Sequence, residues 1–112
     1  MTADEFRDLA LSMPEAAEVG HMGHPDFRVR NKIFATLGYP NVEWAMVKLT
    51  PEQQEQLVED EPDVFVPVKG GWGRKGATNV NLESASDKTV RPAMVAAWRN
   101  VAPKKLSAEF EN

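Results

Sequence analysis

Residues 27–37 constrain the fold more than any other stretch of this chain. Phe27-Arg28-Val29-Arg30 alternates apolar with basic, and Lys32-Ile33-Phe34-Ala35-Thr36-Leu37 is a β-rich run. Asn31, between them, accepts the left-handed backbone that a tight hairpin demands. The pattern predicts a hairpin with a loop of two or three residues, closed by Gly38 and Pro40. A period of two buries Phe27 and Val29 on one face and sets Arg28 and Arg30 on the other.

Helical spacing brackets this β-rich middle. Thr2-Ala3-Asp4-Glu5 has the form of a capping box, and Phe6, Leu9, Ala10 and Met13 follow on one stripe, so a helix runs to about Leu11 and stops before Pro14. Residues 43–48 read as a further strand. Thr50-Pro51-Glu52-Gln53 is a second capping box with proline at the first helical position. Its helix, near residues 51–60, has only Leu57 and Val58 as apolar anchors and belongs on the surface. Residues 64–68 and the alternating Thr78-Asn79-Val80-Asn81-Leu82 read as strands, the latter with Val80 and Leu82 on one face and Asn79 and Asn81 on the other. The last helix begins near residues 87–90, with Pro92 in its first turn and Val90, Met94, Ala97, Trp98 and Val101 as its stripe. Pro103 stops it, leaving a short polar tail. Hairpin-length connections predict an α+β domain: an antiparallel sheet of about five strands with the N- and C-terminal helices packed on one face.

With 112 residues and no repeats or linkers, residues 1–112 form one domain. An apolar share of 42% and a charged share of 27% argue against disorder. The absence of cysteine excludes disulfides and thiolate chemistry. The acidic, helix-starting N-terminus is unlike a signal peptide, and no apolar run approaches the roughly 20 residues of a membrane span. A cytoplasmic monomer without membrane attachment is the expectation.

The net charge of −4 argues mildly against a general nucleic-acid binder. Its distribution matters more. Residues 27–42 hold three cations and no acid, residues 64–82 again hold three and no acid, and residues 52–63 hold six acids and no base. Such runs ordinarily mark solvated faces.

Catalytic signals are weak. Gly71-Trp72-Gly73-Arg74-Lys75-Gly76 matches G-x-G-x-x-G, but a dinucleotide site needs a helix directly afterwards to receive the pyrophosphate, and here a strand pattern follows. What remains is a glycine-rich hairpin tip, with Arg74 and Lys75 turned to water and Trp72 turned toward the core. His21 and His24 are three apart, yet Gly23 and Pro25 oppose the helix that would aim both at a metal. No serine sits in a nucleophile elbow, and no acid pair stands out as a general acid–base couple. A non-enzymatic module with no metal and no cofactor is expected.

Taken together, the segments Met13-Pro14-Glu15-Ala16, His21-Met22-Gly23-His24-Pro25-Asp26-Phe27-Arg28-Val29, Lys32-Ile33-Phe34-Ala35-Thr36-Leu37, Val47-Lys48-Leu49-Thr50-Pro51-Glu52-Gln53, Gly70-Gly71-Trp72-Gly73-Arg74-Lys75-Gly76 and Ala97-Trp98 resemble the MmcQ/YjbR family of small bacterial proteins. Two positions depart from the family pattern. Asn31 stands where glycine is common in the turn, and Ala77 stands where a second tryptophan commonly follows the glycine-rich segment.

The resemblance implies a frataxin-like (CyaY-like) fold and DNA binding through two β-hairpin wings, residues 27–37 and about 72–81. Arg28, Arg30, Lys32, Lys69, Arg74 and Lys75 would then contact phosphates, and Trp72 would stack on a base or sugar. The alternative is a frataxin-like iron-handling or protein-interaction domain using the acids of residues 52–63. A third class, an enzyme of unknown substrate, needs a pocket that sequence does not reveal.

Overall fold

The computed structural model describes residues 1–20, 24–38 and 41–110. His21, Met22, Gly23 and Pro40, named above, lie outside the described residues. The chain runs α1 (Ala3–Leu11), β1 (Ala16–Val19), β2 (Asp26–Val29), β3 (Lys32–Leu37), β4 (Trp44–Lys48), α2 (Pro51–Asp60), β5 (Phe65–Pro67), α3 (Gly71–Arg74), β6 (Ala77–Asn81), α4 (Asp87–Val101) and α5 (Lys104–Glu109). All six strands join one antiparallel sheet in the order β1-β2-β3-β4-β6-β5. The α+β class is as the sequence indicates. α1 and α4 both pack on the sheet, α4 across β3 and β4, and also touch each other.

Local signals explain the helix starts. Thr2 Oγ1 accepts from the Glu5 backbone N–H at 3.0 Å while Glu5 Oε1 accepts from that of Thr2 at 2.8 Å. Thr50 and Gln53 repeat the reciprocal cap at α2, and Ser86 and Thr89 do so at α4. In the first hairpin Val29 pairs with Lys32, so the loop has two residues. Arg30 and Asn31 take φ of 50° and 67°, the doubly left-handed turn whose twist matches the strands.

A register shift between Phe27 and Arg28 makes Phe27 oppose Ala35 while Arg28 opposes Ile33. Phe34 is the extra residue of this bulge, and it is fully buried. The core beneath the helices joins Phe6, Phe27, Phe34, Val47, Met94 and Trp98 in one cluster. Trp98 satisfies its indole N–H on the Pro14 carbonyl at 3.0 Å.

Four local expectations need correction. The sheet gains β1, an edge strand of Ala-Ala-Glu-Val that has little strand propensity of its own and is held by pairing with β2. The glycine-rich segment is a single helical turn, α3, rather than an open hairpin tip, although β5 and β6 on either side of it do pair. Pro92 lies in the second turn of α4, with its ring exposed, so the lost backbone bond is left to water. Finally, the tail after Pro103 forms α5 and folds back. Arg99 donates to the Phe110 carbonyl at 3.0 Å, and the Phe110 ring lies 5.1 Å from that of Trp98.

Candidate functional site

Strand pleating divides the sheet into two faces. Phe27, Ala35, Val47 and Val80 face the helices, while β2, β3, β4 and β6 carry Asp26, Thr36, Met46 and Asn79 on the opposite face. These four are consecutive cross-strand neighbours: Asp26 opposes Thr36, Thr36 opposes Met46, and Met46 opposes Asn79. They floor a cavity of about 540 Å³ bounded by Val68, Lys69 and Trp72. His24, from the segment before β2, also lines it.

Trp72 stands at this cavity's edge with 64% of its surface exposed. The inward placement expected for it is therefore wrong, and Gly73 supplies the reason. In the single turn of α3, Gly73 occupies the inner position, where a Cβ would lie 1.6 Å from the Val68 carbonyl oxygen. With glycine filling the inner side, its neighbours Trp72 and Arg74 face outward. Gly76 completes the seat with φ of 112° and a closest approach of 2.0 Å between its hypothetical Cβ and the Leu49 carbonyl oxygen. Gln54 of α2 braces the turn, its amide donating to the carbonyls of Gly73 and Ala77 at 3.0 and 2.9 Å.

A second cavity, of about 320 Å³, also has Trp72 in its wall, together with Lys48, Leu49, Lys75 and Ala77. The Lys48 ammonium sits 5.6 Å from the Trp72 ring centroid, a cation–π distance. Trp72 thus contributes to two recesses, with Lys69 lining one and Lys48 and Lys75 lining the other. Lys69, Arg74 and Lys75 are exposed, and none of them, nor Lys48, joins an ion pair among the described residues. The acids of α2 make no ion pair to this cationic group either.

The first hairpin differs. Arg28 grips Asp26 with two bonds of 2.7 and 3.1 Å and reaches Asn31 at 3.0 Å. Arg30 grips Glu15 with bonds of 2.6 and 3.1 Å. Hydrogen bonding to Asp26 raises the Arg28 pKa above its ordinary value, and hydrogen bonding to Arg30 lowers that of Glu15. Of the three cations singled out there, only Lys32 keeps its charge uncommitted among the described residues. The structure therefore gathers Lys69, Trp72, Arg74 and Lys75 around one surface and leaves the arginines of the first hairpin internally compensated.

Sequence reasoning missed Lys48, Thr36 and Met46. It did set Asn79 on the face opposite Val80 by alternation, but nothing linear joins these four positions, which meet only through strand order. No group of three or more histidine, cysteine or acidic side chains suited to a metal ion occurs among the described residues. No helix of the described residues is long and apolar enough to cross a membrane.

A family model described as YjbR matches residues 11–100. Among curated proteins, none matches the chain in sequence. Among solved structures, the Deinococcus radiodurans protein DR2400, which carries a DUF419 domain, superposes with a TM-score of 0.73 at 17% identity. The match covers 93% of this chain and 80% of that one. At that identity the likeness speaks to the fold.

Proposed function

The chain belongs to the YjbR family, and from that premise we propose that it is a non-catalytic module that binds single-stranded DNA across Trp72. One observation carries the reading: a tryptophan exposed to 64% lies among four cations, Lys48, Lys69, Arg74 and Lys75, that are free of ion pairs within the described residues. An accessible indole face stacks on an unpaired base, which a duplex keeps inside its own stack, and cations on both sides follow a phosphate backbone. Duplex binding by two basic wings has less support, because Arg28 and Arg30 would first have to leave Asp26 and Glu15. The iron-handling alternative lacks a cluster of three acidic or histidine side chains among the described residues.

Anisotropy titrations with labelled single- and double-stranded DNA of equal length test this. Single strands should bind more tightly. With up to four phosphate contacts, log K should fall against log salt with a slope of about −3. Trp72→Ala should weaken binding by about 1–3 kcal/mol, and the double charge reversal Arg74→Glu with Lys75→Glu should flatten the slope as well. Absence of strand binding at low ionic strength, or an unaltered affinity in Trp72→Ala, would sink the proposal.

A further inference from the structure

We infer that the 540 Å³ cavity beside Trp72 receives one unstacked nucleobase and reads its edge through Asn79 and Thr36. This deepens, and rests on, the reading of Trp72 as a strand-binding surface. The floor has an unusual polar arrangement. Thr36 and Asn79 are the two cross-strand neighbours of Met46, so their backbones stand about 9–10 Å apart with a thioether between them. That span accommodates a planar heterocycle with a hydrogen bond at each end. Neither the Thr36 hydroxyl nor the Asn79 amide has a hydrogen-bond partner among the described residues, whereas Asp26 in the same row is already held by Arg28.

An occupant of hydrocarbon alone would strip water from both groups and leave them unsatisfied. A suitable occupant therefore carries donors and acceptors along its edge. Trp72 offers it an aromatic wall, Leu37 and Val68 offer apolar sides, and Lys69 offers a cation for an attached phosphate. A nucleobase bearing its phosphate meets all of these demands together. An amide such as that of Asn79 presents a donor and an acceptor side by side, the arrangement that pairs bidentately with a base edge. The same chemistry is available from a free nucleotide.

Short dA, dC and dT homopolymers of equal length, titrated against the whole chain and its Asn79→Ala and Thr36→Val variants, test the inference. The unsubstituted protein should prefer one base by at least about fivefold, the low end for a bidentate contact. That preference should collapse in both variants while the salt slope stays unchanged. Thr36→Val is nearly isosteric, which keeps the test open if Asn79→Ala unfolds. Equal affinity for all three homopolymers, or a preference that survives both substitutions, overturns the inference.

Amide NMR then separates the two sources. Shifts at Asn79 with 5′-mononucleotides identify a site for the free nucleotide, and shifts with homopolymers alone identify a base delivered by a strand. No shift with either overturns the inference. Loss of all strand binding removes the underlying surface reading too. Strand binding with Trp72 quenching but no base preference removes only the cavity.

Discussion

Gly73 and Gly71 are two residues apart in one helical turn, yet they answer to different demands. A Cβ at Gly73 would collide with the Val68 backbone, whereas one at Gly71 would meet nothing closer than the tip of Arg74 at 3.5 Å. Gly73→Ala is therefore expected to destabilise the fold by about 1–3 kcal/mol in urea unfolding, the cost of forcing atoms into a packed site. Gly71→Ala should be close to neutral, or stabilising by up to about 1 kcal/mol, since alanine favours the helix. Equal losses at both positions would show that the close approach does not govern. The glycines themselves were plain in the sequence. Their reason was not, because Val68 and Leu49 approach through tertiary folding, and Trp72 was accordingly turned the wrong way. Asn31 is the contrary case: its short polar side chain announces a left-handed turn, and φ is 67° there.

At the scale of elements, the pair Glu15–Arg30 ties the corner between α1 and β1 to the turn between β2 and β3. Both residues have left-handed backbones, with φ of 57° and 50°. Conformations of this kind persist where surrounding contacts hold them. Because Arg30 lowers the Glu15 pKa below its ordinary 4.5, the pair contributes stability that is complete above the unfolded value and is lost as pH falls through the lowered folded one. Glu15→Gln should thus be less stable than the parent at neutral pH, and the difference should close as pH drops below about 4.5. Thermal melts from pH 7 to 3 check the sign, and a gap that widens in acid would contradict it. Capping boxes and alternation made α1, α2 and the first hairpin readable in advance. β1 was hidden because its four residues acquire strand geometry only from β2. α3 was hidden because a run of glycines disfavours the helix that Gln54 and Val68 enforce.

On the scale of the whole molecule, charge is sorted by surface rather than by segment. The net charge of −4 hides a cationic group around Trp72, while two arginines that look equally available in the sequence are compensated by Asp26 and Glu15. Linear charge runs could indicate that basic sections exist, but not which ones acids 2 and 15 residues away in sequence would answer. Added salt should therefore weaken any ligand held at Trp72 far more than it alters the stability of the fold, whose ion pairs among the described residues are few and mostly exposed.

Sheet order also carries a schedule. β6 lies between β4 and β5, and α4, which covers β3 and β4, begins only at Asp87. During synthesis, Phe34 of β3 and Val47 of β4 therefore emerge from the ribosome well before the helix that covers them, and α1, made first, leaves part of the sheet's oily side uncovered until then. Chains stalled before residue 87 should remain protease-sensitive and engage chaperones, and protection should appear abruptly once α4 clears the exit tunnel. A pulse-proteolysis series of stalled chains reads this directly, and early protection of the first hairpin would show that the nascent chain settles piecemeal.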